Sequence, residues 1–318
     1  MQIIQVTPGE NALQRAIDAL PADGSPVTLR LAPGVYREKV ELRRPHTAIE
    51  GAGADETRIT WADAATALHP DGMNNGTFRS YTLLVLAEDC ALRGLTIENA
   101  ARPRDKVGQC IALFADGDRF TCEGCTLLSA QDTLFTAPLP PKEVLKNGFL
   151  GPTQFLPRTP QRHTYRRCVI KGDVDFIFGG AAAWFEDCDI VSINAYEDGR
   201  VPGGYATAAS TPQGQKYGYV FNHCRFLAGE GVGESTMYLG RPWREYAKTV
   251  LLDCFIGAHI KPEGWDNWGK PQFGETGLYA EHGCTGPGSD VSARAAFSRV
   301  LTDDEAATCT YEDFMNSL

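Results

Sequence analysis

The sequence predicts an all-β chain wound as a parallel solenoid, with a helix over its first coil and a short helical tail at its end. Glycine (33) and proline (19) are frequent between short alternating apolar runs, which reads as many short strands with many turns. Cys90, Cys125, Cys168, Cys188, Cys224 and Cys254 share one local frame, a polar or small residue before and an alternating strand after, as in Asp187-Cys-Asp-Ile-Val and Asp253-Cys-Phe-Ile-Gly. Their irregular spacing fits a coil of about 20 residues that keeps its phase while its loops vary in length.

The chain reads as a single domain with a cap over 1–25, coils over 26–285 and a tail over 286–318. In the cap, Thr7-Pro-Gly-Glu10 has the form of a capping box with proline at the first helical position, and Leu13, Ala16, Ile17 and Leu20 follow at helical spacing. A helix there would cover an open solenoid end that otherwise templates aggregation. Val27 to Leu31 and Val35 to Leu42 alternate as strands joined by Ala32-Pro-Gly34. The repeated cysteines are expected to stack inward as small apolar residues; a disulfide framework or a zinc site are the weaker readings, since Cys122/Cys125 lacks a second half. Pairing of Cys284 with Cys309 is left open. Two long loops are expected, over 137–162 and 194–218, and the first joins the two acidic segments described below, which suits it to wall a site. Thr302-Asp-Asp-Glu305 is a second capping box and opens a terminal helix packed on the solenoid flank or end.

A formal net charge of −10 argues against nucleic acid, which wants clustered lysine and arginine. It would also repel a polyanionic sugar chain, unless the groups near the site were esterified and neutral. No apolar run approaches the roughly 20 residues of a membrane span. The chain opens Met1-Gln-Ile-Ile without a basic region and an apolar stretch behind it, so a cytoplasmic protein is favoured, with secretion after signal removal as the alternative. The six histidines lack metal-ligand spacing and no phosphate-cradling glycine loop occurs, so neither metal nor cofactor is expected.

Three segments carry chemistry. Lys171-Gly-Asp-Val-Asp-Phe-Ile-Phe-Gly179 alternates so that Asp173 and Asp175 share one strand face, with Val174, Phe176 and Phe178 on the other. Gln131-Asp-Thr-Leu-Phe135 adds an amide and an acid, and Leu239-Gly-Arg-Pro-Trp243 adds a fixed cation. Asp173 reads as a solvated or turn-bonding residue. Gln131 and Asp132 are adjacent, so both reach one site only if the chain bends there. Together these groups supply what ester hydrolysis needs: a nucleophile, a proton donor, and donors that do not titrate.

With Gly108-Gln-Cys-Ile-Ala-Leu113, these strings resemble the pectin methylesterases, carbohydrate esterases built on a right-handed parallel β-helix, over about Ile3 to Gly288. The resemblance implies that Asp175 attacks the C6 carbonyl of a methylated galacturonate and that Asp132 protonates the departing methoxide, then serves as base for water. It implies that Gln109 and Gln131 donate to the oxyanion and that Arg241 holds Asp175 as the anion, consistent with bidentate pairing by a permanent cation. Trp243, Phe78, Phe135, Phe178 and Trp268 match positions where the family presents aromatics to sugar, core packing being the other reading for each. Phe135 stands where a tyrosine is frequent. The implied partner is methyl-esterified homogalacturonan or its oligosaccharides, and the chain is expected to be monomeric. A pectate lyase or polygalacturonase on the same fold, or a noncatalytic carbohydrate-binding solenoid, are the competing readings. The first two would want calcium carboxylates or two acids flanking a glycosidic bond. The last leaves the Asp/Asp/Arg/Gln set without purpose.

Overall fold

The structure, a computed structural model, describes residues 2–196, 198, 200 and 203–318. Among them, three parallel sheets of eleven, eight and seven strands run the length of the molecule, each strand pairing with its counterparts one coil before and one coil after. The chain therefore winds as a right-handed parallel β-helix, the hand favoured for parallel crossovers.

The interior is filled by register. Tyr165, Phe185 and Phe221 occupy the same phase of successive strands, and their rings stack at 4.7 and 4.5 Å between centroids. A second column runs along the corner between the eleven- and eight-stranded sheets. There Cys125, Cys168, Cys188, Cys224, Cys254 and Cys284 lie on successive rungs, as the flanking strand pairs require. The backbone N–H of Cys168 points to Cys188 Sγ at 3.4 Å, and that of Cys188 to Cys224 Sγ at 3.4 Å. Each of these cysteines follows a left-handed residue that turns the corner, from Gly124 to Gly283, and takes up an inward apolar position there. All ten thiols are free, including Cys284 and Cys309. Cys90 departs from the expected phase: it lies opposite Phe120 at the entrance to a strand, and Leu95 fills the ladder position of its coil.

The cap differs from the capping-box expectation. Its helix spans Ala12–Asp18, with left-handed Asn11 as N-cap and no side-chain cap bond. The buried Glu38 carboxylate accepts from Leu13 N at 3.0 Å and Gln14 N at 2.9 Å, so a long-range partner, not a local box, satisfies free amides of the first turn. The same residue ends the strand expected over 35–42. Gly34–Arg37 and Val40–Leu42 belong to different sheets, and Glu38 and Lys39 turn between them.

At the far end, Trp265, Phe273, Tyr279 and Phe297 pack together around the buried Arg294–Glu281 ion pair. The Thr302 capping box forms, opening Asp303–Ala307, and a further helix, Tyr311–Met315, lays Phe314 against Trp184 and Tyr217 on the flank of the eleven-stranded sheet. Of the two expected loops, 137–162 holds no strand before Arg162, whereas 194–218 contains the strand Gly204–Ala209. The remainder of that second expected loop includes residues 197, 199, 201 and 202, outside the described residues.

Candidate active site

The seven-stranded sheet positions the chemistry. Gln109 and Gln131 bridge in parallel just ahead of the strands Leu113–Ala115 and Leu134–Thr136, and Asp132 N donates to Val174 O at 3.1 Å on the next rung. Asp175 lies in Val174–Gly179, and Arg241 follows Met237–Gly240 two rungs further on. Gln109, Gln131, Asp132, Asp175 and Arg241 thus come from four coils of the solenoid to line one cleft of about 250 Å3.

Local backbone geometry aims the two acids. Asp132 has φ 64° and Asp175 has φ 49°, both left-handed, a region that aspartate tolerates better than most residues. The kink at Asp132 lets it share the cleft with its neighbour Gln131. The kink at Asp175 breaks the expected alternation, and the register shifts between Val174 and Ile177. Phe176 and Ile177 consequently both pack inside, while Phe178 joins Phe78 and Phe135 on the outer face, so Phe176 and Phe178 do not share a side. Asp173 is fully buried away from the cleft, contrary to a solvated role. Its Oδ2 receives Arg104 Nε at 2.9 Å and its Oδ1 accepts from Val174 N at 2.6 Å, which keeps the local turn.

Both cleft acids are nearly out of solvent, Asp132 at 6% exposure and Asp175 at 7%. Arg241 Nε donates to Asp175 Oδ1 at 2.8 Å and Nη2 to Oδ2 at 2.7 Å, a two-point pair. Burial raises the pKa of Asp175, and the hydrogen bonds and charge of Arg241 oppose that rise. Asp132 has no such partner; burial and then the charge of Asp175 push it well above the usual carboxylate range, with Arg241 opposing more weakly. The pKa of Asp175 is still raised on balance, but Arg241 favours its anion directly, whereas Asp132 has no paired cation to oppose its rise.

Phe78, Phe178, Trp243 and Trp268 line the cleft as well. Phe135 does not: it is fully buried behind them, 5.0 Å from Phe78 and 4.9 Å from Phe178 between centroids, and it supports their placement. Thr77, Val144, Leu145, Gly148, Phe149, Ala208 and Arg244 complete the lining. These were not singled out from sequence. Its place between the two acidic segments pointed to 137–162 as a wall of the site but not to the side chains it presents. No group of three or more metal-binding side chains occurs among the described residues.

A groove that sets an arginine-paired acid beside an unpaired one, flanked by amides and aromatic rings on a solenoid, fits a carboxylic ester hydrolase acting on carbohydrate. The chain belongs to the pectinesterase family, whose pattern matches residues 7–139 and 152–317. It is 33% identical over 313 residues to pectinesterase 31 of Arabidopsis thaliana, covering 96% of this chain and 88% of that protein. Its fold is similar to that of pectin methylesterase PemA from Erwinia chrysanthemi, with a TM-score of 0.80 and 28% identity over 99% of this chain and 97% of that one. It is likewise similar to a pectin methylesterase solved in complex with a hexasaccharide, with a TM-score of 0.77 and 28% identity over 96% of this chain and 92% of that one. The protein is thus an enzyme that removes methyl esters from pectin.

Proposed function

We propose that the cleft hydrolyses the C6 methyl ester of a galacturonate unit in methyl-esterified homogalacturonan or its oligosaccharides by an acyl-enzyme route. The observation that carries this reading is the unequal treatment of two buried acids, one paired to Arg241 and one not. An Asp175 carboxylate oxygen attacks the ester carbon, and the carbonyl electrons move to oxygen. The Gln109 and Gln131 amides donate to that oxyanion, each typically worth about 3 kcal/mol of barrier. Collapse expels methoxide, which takes the proton of Asp132 and leaves as methanol. Asp132, now anionic, removes one proton from water as it attacks the acyl carbon; the adduct collapses with cleavage of the bond to Asp175, restoring both acids, and the released sugar acid gives its remaining proton to solvent.

Trp243, only partly buried, offers an apolar face to pyranose C–H groups, with the buried Phe78 and Phe178 packed against it. Val144 and Leu145 are 80% and 75% exposed at the rim, an apolar wall suited to neutral esterified units rather than to free carboxylates. That the hexasaccharide complex belongs to a protein of the same fold supports an extended, multi-unit substrate. Methanol release from methylated pectin by the parent and by Asp175→Asn is the test. Loss of turnover with retained oligosaccharide binding is expected; near-parental methanol release by Asp175→Asn would refute the assigned nucleophile.

A further inference from the structure

Arg241 reaches back over two coils to Asp175, and its guanidinium is enclosed along that path. The strands Val174–Gly179, Gly204–Ala209 and Met237–Gly240 are neighbouring rungs, with Tyr205 opposite Val174 on one side and Tyr238 on the other. The rings of Tyr205 and Tyr238 stack at 5.2 Å with 7° between their planes. Arg241 Cζ lies 3.9 Å from the centre of Tyr205 and 3.7 Å from that of Trp268. Two rings this close cannot share one face of a guanidinium, so each covers one.

Trp268 arrives from the following turn, where Trp265 bridges to Gly240. It is left-handed at φ 50°, and its N–H donates to Asp266 Oδ1 at 2.6 Å. Lys270 Nζ lies 4.6 Å from the Trp268 ring and donates to Pro242 O at 2.7 Å, while Lys261 Nζ lies 4.4 Å from Tyr238 at the opposite end of the column.

We propose that Tyr205 and Trp268 are positioning residues for the reaction, clamping both faces of Arg241 so that its Nε/Nη2 edge is committed to Asp175. This rests on the reading of Asp175 as the nucleophile. The clamp matters because the product of each turnover is itself a carboxylate on the sugar chain. A loose guanidinium would pair with it in the same two-point fashion, abandoning the nucleophile. A cation held against two rings is partly desolvated and has lost its rotational freedom already, so it stays where catalysis needs it. Trp268, although 38% exposed, therefore acts through Arg241, and the face it lays on the guanidinium is closed to a pyranose.

The experiment replaces each ring by leucine and by phenylalanine and measures methanol release from methylated pectin across pH. Tyr205→Leu and Trp268→Leu should lower kcat about tenfold, in keeping with loss of one cation–ring contact. KM should change little, and the acid limb of kcat/KM should move to higher pH as the anion of Asp175 loses support. Tyr205→Phe and Trp268→Phe should restore most of kcat. Trp268 stands at the rim, so its leucine variant also tests the idea should Tyr205→Leu melt early. Leucine variants with parental kcat and pH profile would overturn the clamp, as would phenylalanine variants as impaired as leucine ones. A Trp268→Leu variant raised in KM alone would make that residue a sugar platform instead. An inactive Asp175→Asn alongside parental leucine variants would sink only the clamp, whereas an active Asp175→Asn would sink the nucleophile assignment itself.

Discussion

Replacing Arg241 by glutamine tests the electrostatic core of the site. The substitution keeps a planar polar group but removes the charge and the two-point contact, which is made at 2.8 and 2.7 Å to a carboxylate 7% exposed. Breaking such a buried pair by deleting one partner typically costs about 3 to 5 kcal/mol. Asp175 need not bear that cost as an anion, because it can take a proton; the loss then appears as a smaller ionised fraction rather than as unfolding. At about 1.4 kcal/mol per factor of ten, turnover near neutral pH should fall by roughly a hundredfold to a thousandfold. Raising the pH should recover part of the loss, since hydroxide can strip the proton that Arg241 no longer opposes. Initial rates of methanol formation at saturating methylated pectin, measured across pH for parent and variant, decide it. A loss below tenfold, or a variant whose acid limb coincides with the parental one, would show that Arg241 does not maintain the anion.

Asp132→Asn should abolish turnover and yet stabilise the fold at neutral pH. Because the folded pKa of Asp132 is raised, the stability linked to its proton is complete below the unfolded carboxylate range and is lost as pH rises through the folded value. Asparagine does not titrate, so the denaturation midpoint of the variant should gain on the parent as pH rises above the ordinary carboxylate range; a constant difference would refute the raised value. Gln131→Ala should lower kcat about a hundredfold with a smaller effect on KM, as loss of an oxyanion donor does; unchanged methanol release would remove it from the site. Leu145→Ser combined with Val144→Ser should raise KM severalfold on highly methylated pectin and less on sparsely methylated pectin, and equal effects on both would argue against an ester-facing wall. The ladder thiols, whose pKa burial pushes up at Cys188, Cys224 and Cys254, should resist a thiol-specific reagent until denaturant is added; rapid labelling of the native protein would contradict their packing.

How much of this was legible in the sequence depends on whether a feature is written locally or across coils. The solenoid was legible because corner residues and cysteines repeat along the chain, and the Thr302 box was legible because its partners are three residues apart. The Thr7 box misled because the helix starts later, at Ala12, where Glu38, 25 residues from Leu13, accepts from first-turn amides. Cys90 misled because its local frame matches the ladder although its register partner is Phe120. At the site, residue types were legible and directions were not. Alternation placed Asp173 and Asp175 together, but a left-handed Asp175 separates them, turning one into the cleft and leaving the other buried against Arg104. The Tyr205 contribution was hidden for the same reason: Gly-Tyr-Ala-Thr and Met-Tyr-Leu-Gly hold their tyrosines at one phase, a signal visible only once the two strands are set side by side.

The two left-handed acids also bear on why the site works. A non-glycine residue at φ 64° or 49° is sparsely populated in a free chain, and such conformations persist only where the surroundings over-determine them. Here the parallel ladder does so, since Asp132 N donates to Val174 O and the strands on either side of Asp175 fix its flanks. The kinks let adjacent or near-adjacent residues break strand alternation and put a carboxylate where an apolar side chain would otherwise point. Once aimed, the two acids differ in their partners, and in the proposed mechanism that difference separates nucleophile from proton carrier. Moving the cation therefore reassigns the roles, whereas relaxing either kink withdraws an acid from the cleft altogether.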